Sequence, residues 1–518
     1  MTDRTRWAPL GMLVGVLLVS HVWMNEARIP FGNPNVLSRV YLALAMAGDG
    51  TFRIDRWVEE TDIQDKAEYD GHTYSDKAPG ASLLLVPLAA LVRAVFGESD
   101  VYLLALWLRL LGLSLPVVGF WLAVRGYFAR LTDDPRAADA VVSAGALGTV
   151  FFIYATELFA HATAGMLLFA SYLLVRAVVA EPEERGAELR CLAAGAIAGL
   201  AFTVDYVVVL AVPVLFLWVA RSGPRPWRHA CLFAAACAVP LMGWMAYNVA
   251  CFDHPLRVGF HFHADSDYRP QYRSGLLGIQ PPSGEGLWLL LLSPARGLCF
   301  LSPVLLLALV GWRRQWRSRS ARTDAAMSAA IVGAIVLFAA TTVDPGGGWA
   351  VASRYLTATV PFLLIGVAGW IRDAERWGLA LYAGLALVGL MLVPLAAATF
   401  PVFPHGVENP IFELAWPLLR AGYVMPSVGS DSFGVAALVP FFVCFVGAAS
   451  FQLDLVARRA GLGALVASLA IAVVIIAVQA TIPERPERAW WRGYAVEFAL
   501  ESLGRDAEAA RYRATGDL

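Results

Sequence analysis

Residues Ala460–Ala480 read AGLGALVASLAIAVVIIAVQA, an uncharged run that starts directly after Arg458 and Arg459. A helix of about 20 residues rises about 30 Å, the depth of a bilayer's hydrocarbon core. A run of that length and composition is a membrane-crossing helix. Gly11–Met24, Val141–Tyr154 and Leu379–Ala398 repeat the pattern almost without charge. Hydrophobic residues make up 58% of the chain and charged ones 16%, against about 25% charged in soluble domains. Mean hydropathy is +0.61. The expected fold class is therefore an all-α polytopic membrane protein.

Working outward from these runs, the arginines fall in short loops. They cluster at Arg4 and Arg6, at Arg125, Arg130 and Arg136, at Arg185 and Arg190, and at Arg221, Arg225 and Arg228. Further clusters lie at 313–322, at Arg372 and Arg376, and at Arg458 and Arg459. Short basic loops stay on the cytoplasmic side. Threading helices between them gives about thirteen spans: 8–24, 103–124, 138–154, 160–180, 191–204, 206–220, 229–249, 297–312, 325–341, 355–371, 378–399, 433–450 and 461–481. The first span has no small-residue cleavage site and reads as a retained anchor. The apolar stretch Ala81–Phe96 would invert every later arginine loop if it crossed, so it is expected to lie along or dip into the outer face.

This threading sends the unusual polar residues to one side. The first outer loop (25–102), Thr156–His161, Asp205, Cys251–Arg296, Val343–Tyr355, Phe400–Ser432 and a helical tail (482–518) are all expected outside. Residues 1–481 form the expected membrane domain, and the tail packs on the outer loops. The cytoplasmic loops hold no glycine-rich phosphate cradle, so neither nucleotide nor nucleic acid is an expected partner. The six cysteines lie in or near apolar runs and form no disulfide framework or zinc spacing.

The chain has two lysines among its 40 basic residues, Lys66 and Lys77, both within Asp-Lys-Ala. Arginine serves everywhere else, so these two places ask for a compact ammonium beside a carboxylate. They lie in an acid-dense segment holding Asp55, Asp62, Asp65, Tyr74 and Asp76. A lysine can grip a phosphate as a point charge while an acid takes a proton from an acceptor. The alternative is a solvated acidic loop. Upstream, Asn35 reads as the N-cap of an amphipathic helix, Val36–Ala47, that carries Arg39. Glu157 and His161 are four apart, which on a helix puts them on one face, either lining a cavity or tying the helix end to the first loop. Asp205 tops a hairpin of short spans, at a cavity floor or merely reaching water. Arg296 and Arg354-Tyr355 stand at outer helix mouths and either grip phosphate or sit at the interface. His261 and His263 with Asp265 and Asp267 match no structural zinc spacing, and no metal is expected.

The order of these pieces resembles the GT-C class of membrane glycosyltransferases, specifically bacterial relatives of glycosyltransferase family 39. Those include protein O-mannosyltransferases and lipid A aminoarabinose transferases. Tyr74-Ser-Asp76-Lys77-Ala-Pro79-Gly80 is similar to the Tyr-Phe-Glu-Lys-Pro-Pro segment of the latter. Phe159-Ala-His161, Ser293–Gly297 and Gly347-Gly-Trp349 with Arg354-Tyr355 resemble bacterial members. The resemblance implies juxtamembrane helices in the first outer loop and a bacterial inner-membrane location. It implies a polyprenyl-phosphate sugar as donor, inverting transfer in an outward-facing site, and no separate cofactor. Membrane lipids and an unknown acceptor (lipid, glycan or protein) complete the implied partners. Asp76 and Lys77 fall on the family's acid–lysine pair, and Arg39 on its first-loop arginine. One departure stands out. The family carries an acid just before that arginine, where this chain has Asn35, Val36, Leu37 and Ser38. Glu26, Asp55, Asp62 and Asp65 are the remaining candidates for the base. A transporter or flippase of a lipid-linked or anionic substrate, and an envelope polymerase or ligase, are the other classes the pattern admits.

Overall fold

The computed structural model describes all residues except 1–3, 27–32, 98–99, 266–277, 320, 484–488, 503 and 517–518, so Asp267 lies outside the described residues. Among the described residues, nine helices are long and apolar enough to cross a membrane. A tenth crossing is a pair, Pro135–Leu147 and Val150–Thr156, bent by 61°. The other three expected spans are helical too, but short or broken: Ala8–Trp23, Ala211–Val219, and 298–316 in three pieces. The chain is a multi-pass helical membrane protein.

Small residues set how closely these helices approach, because bilayer lipid supplies no hydrophobic drive between them. In Gly195-Ala-Ile-Ala-Gly199, a Cβ on Gly195 would sit 2.1 Å from the Phe233 carbonyl oxygen, and one on Gly199 would sit 2.5 Å from that of Cys237. Helices Ala187–Val204 and Pro226–Phe252 therefore touch backbone to backbone. Leucine at Gly195 should force them apart and cost about 1–3 kcal/mol. The expected result is a lower melting temperature of the detergent-solubilised protein; an unchanged melt would mean the contact is not tight.

Contacts between loops divide into two sets. In one, Arg459 pairs with Asp134 at 2.7 Å, Arg176 with Asp324 at 2.6 Å and Arg228 with Glu188 at 2.9 Å, all in or beside the arginine-rich connections. In the other, Val428 donates to the Asn25 carbonyl, Ala264 to that of Lys66, and Ala350 to that of Phe403. The loops grouped on one side by the arginine pattern thus gather into one shell. The tail joins this shell as two helices, Ala489–Ser502 and Asp506–Thr515. Phe498 packs against Trp349 and Phe400, with ring centres 5.0 and 6.1 Å away.

The first loop begins with helix Pro34–Leu44. Its N-cap is Asn33, whose side chain accepts from the Asn35 amide, and not Asn35 as expected. Proline favours the first helical position, which moves the cap one residue ahead of Pro34. Asp55–Glu60 forms a short helix, and Arg53 just ahead of it makes a strand-like bridge to Tyr74. An antiparallel hairpin, Lys66–Tyr69 with His72–Ser75, follows and was not anticipated. Its turn is Asp70-Gly71, both at positive φ (49° and 76°), the Asp-Gly combination that suits a two-residue hairpin loop. Helix Gly80–Phe96 then starts hard against Thr203, whose backbone a Cβ on Gly80 would meet at 2.5 Å. It buries Ser82, Leu85, Ala89 and Val92 and exposes Leu84, Leu91 and Val95.

Candidate functional site

The hairpin's second strand runs straight into Asp76-Lys77 and presses that pair against helix Pro34–Leu44. Ser38 on the helix shares a hydrogen bond with Ser75 (2.8 Å) and donates to Asp76 Oδ1 (3.2 Å). Lys77 Nζ stands 2.7 Å from Asp76 Oδ2 and 2.7 Å from Asp65 Oδ2. A single ammonium thus bridges two carboxylates, a fit for a small charge with three donors and not for a planar guanidinium. The third donor remains, and Phe260's ring centre lies 5.8 Å from Nζ. Burial would raise the Asp65 pKa, but Lys77 outweighs it and holds the carboxyl below its ordinary range. His263 Nε2 approaches Asp76 Oδ2 at 3.6 Å. One ligand atom each from Asp65, Asp76 and His263 lie within 4.8 Å of one another, so these three could hold a divalent cation in competition with Lys77. The room for this packing comes from Gly259, where a Cβ would sit 2.5 Å from the Asp76 Cα.

Two arginines adjoin this cluster. Arg39 Nη1 donates to the Asn35 carbonyl at 2.6 Å and to the Asn35 side chain, so Asn35 orients the arginine. Arg39 Nε is sealed and unpaired. Burial pushes the Arg39 pKa down to about 10 against the pull of Asp205 and Asp76, which leaves it a cation at neutral pH. Arg354 follows the Gly347-Gly348 turn (φ 76° and 73°), where a Cβ on Gly347 would sit 3.0 Å from Arg354 Nε. Its guanidinium lies 5.4 Å from the Phe159 ring centre and 5.5 Å from that of Tyr355, and its Nε is sealed without a partner. Among the described residues neither arginine has a carboxylate within ion-pair distance.

Glu157 and His161 do not share a helix face. Helix Val150–Thr156 ends at Glu157 and a new helix starts at Ala160, so the two side chains part. His161 Nδ1 hydrogen-bonds Asp205 Oδ2, and Asp205 Oδ1 accepts from the Val207 amide at 3.2 Å. Glu157 instead joins Glu26 beside Arg109, which Glu26 contacts directly. Burial raises the Glu26 pKa to about 7 against Arg109. Burial, then the Glu26 charge, raises that of Glu157 well above a carboxylate's usual value. A carboxyl whose pKa rises on folding stabilises the fold below its unfolded pKa, and that contribution is lost as pH rises through the folded value. Glutamine at 157 mimics the protonated acid. Glu157→Gln should fold normally and show a melting temperature that falls less than the native protein's between about pH 5 and pH 9; equal slopes would place the proton elsewhere.

The remaining expected residues lie apart from this cluster. Asp62 pairs with Lys66 (2.6 Å), and Asp55 binds His72 (3.1 Å) and the Thr73 amide (2.6 Å). These four side chains line an open cleft along the hairpin. Tyr74 packs on Phe252, ring centres 5.5 Å apart. Arg296 donates from Nη1 and Nη2 to the carbonyls of Ala295, Gly348 and Phe403, which ties the glycine turn in place, while its Nε is sealed without a partner. Ser38, Ser75 and Phe260 were not singled out from the sequence. Their residue types are too ordinary to signal a role, and only the packing reveals it.

No family model matches the chain, and no curated protein matches it. Among solved structures it is similar to the crystal structure of ArnT from Cupriavidus metallidurans in the apo state. The TM-score is 0.50 at 18% identity, over 99% of this chain and 80% of that one. The chain shares this polytopic helical fold.

Proposed function

We propose that the protein is a membrane-embedded glycosyltransferase that moves a sugar, with inversion, from a polyprenyl-phosphate donor to an extracytoplasmic acceptor. The observation that carries this reading is the pair Arg39 and Arg354, two cations at the loop end of the fold with no carboxylate within ion-pair distance among the described residues. An unpaired buried charge is costly, and a lipid-borne phosphate is the anion a membrane enzyme meets at that depth. Arg354 offers a fork suited to phosphate oxygens, and Lys77 keeps one free donor for the oxygen that leaves with the phosphate. Charge grows on that oxygen as the sugar departs, so cations fixed beforehand favour the transition state. The acceptor reaches the sugar from the opposite side, which inverts the anomeric carbon. Asp65 is the first-loop carboxylate nearest these cations that keeps some contact with solvent, at 25% of its side-chain surface.

The test is mass spectrometry of polyprenyl-linked sugars and envelope glycans from a strain lacking the gene. A lipid-linked sugar should accumulate and a glycosylated product should vanish. An unchanged profile counts against the reading. Movement of lipid-linked substrate across liposomes holding the purified protein, without sugar transfer, would identify a flippase instead.

A further inference from the structure

Each of the five first-loop acids singled out from the sequence is already engaged. Asp76 is bound by Ser38 and Lys77, Asp65 by Lys77, Asp62 by Lys66, Asp55 by His72 and Glu26 by Arg109. An acid held by a cation is a weaker proton acceptor. His161 is arranged differently. Its Nδ1 hydrogen-bonds Asp205, whose other oxygen is held by the Val207 amide. That contact keeps the proton on Nδ1 and leaves the Nε2 lone pair available. Among the described residues Nε2 has no hydrogen-bond partner, yet it is not among the sealed unpartnered atoms, unlike Nε2 of the core histidine His21. Tyr154, Phe159 and Tyr355 wall the imidazole, with ring centres 5.9, 6.0 and 5.6 Å away. Phe159 and Tyr355 are the same two rings that flank Arg354. The imidazole therefore lies one ring away from the cation assigned to the donor phosphate.

We propose that His161, positioned by Asp205, is the general base of the transfer, which rests on the glycosyltransferase reading above. As the acceptor's hydroxyl oxygen bonds to the anomeric carbon, its proton passes to His161 Nε2. The bond from that carbon to the phosphate oxygen breaks, and its electron pair leaves on the polyprenyl phosphate. Asp205 stabilises the imidazolium, which then returns its proton to water. The charged and titratable groups facing the ring are Asp205, Tyr154, Tyr355, Arg39 and Arg354. General base catalysis of this kind contributes about 10²–10⁴-fold to rate.

The test uses the purified full-length chain, with lipid extract of the deletion strain as donor source and its envelope fraction as acceptor. His161→Gln removes the imidazole base and keeps a neutral polar side chain. It should bind undecaprenyl phosphate like the native chain, turn over about 10²–10⁴-fold more slowly, and lose the acid limb of the pH–rate profile. Asp65→Asn slows turnover through Lys77 but should keep that limb. An acid limb that survives in His161→Gln, or disappears in Asp65→Asn, overturns the assignment. Should His161→Gln fail to bind undecaprenyl phosphate, Asp205→Asn decides: slowed turnover with a displaced acid limb supports the dyad, and a native profile overturns it. A native chain that consumes no lipid-linked sugar overturns the transferase reading itself, an outcome distinct from all of these.

Discussion

Replacing Lys77 with alanine is expected to abolish sugar transfer while the protein still reaches the membrane at normal levels. The ammonium holds Asp65 and Asp76 together at 2.7 Å each and, in the proposed mechanism, keeps its last donor for the leaving group. Removing a preorganised donor from a developing oxyanion typically costs about 10²–10³-fold in rate. Here two carboxylates also lose their shared cation and repel each other, so the loss should be at the upper end of that range or beyond. Lys77→Arg should not rescue. A planar fork on a longer stem cannot occupy the point between two acids that one nitrogen fills, although it carries the same charge. The measurement is turnover of the lipid-linked sugar by membranes containing equal amounts of each variant. Full activity in Lys77→Ala would remove the lysine from the mechanism.

Arg354→Ala is expected to weaken binding of undecaprenyl phosphate by about 10²-fold or more, the usual scale for losing a desolvated charged partner. Arg354 is held between Phe159 and Tyr355 and has no carboxylate of its own among the described residues. Its removal should therefore leave the protein folded and empty the anion site. Arg354→Lys should restore charge without the paired donors and recover only part of the affinity. Titration of undecaprenyl phosphate into each purified variant reads this directly. Native affinity in Arg354→Ala would assign the phosphate to Arg39 and Lys77 alone.

The chain places these groups close together by means that differ in how openly the sequence declares them. The helical segments are written plainly, since each depends on a continuous apolar run. All thirteen expected segments are helical, though nine among the described residues have the length and composition to cross as single helices. The Asp-Lys pair was legible as well, because lysine is so rare here. The Lys66–Ser75 hairpin carried a signal in Asp70-Gly71, but the acid density around it read as loop. The division of Glu157 from His161 was hidden. The four-residue spacing is real, but the helix breaks between them, and a break of this kind depends on what packs around it.

Local properties, such as apolar length, cap residues, charge bias between loops and the choice of lysine over arginine, act over a turn or a span. They settled the fold class and singled out most of the polar residues. Partners were another matter. His161 with Asp205, Glu26 with Arg109 and Lys77 with Asp65 are separated along the chain and meet only because helices cross and loops stack. Which charges end up neutralised, and which arginines are left for a ligand, depends on distances of a few ångström across the packed protein. No spacing along the chain encodes those distances.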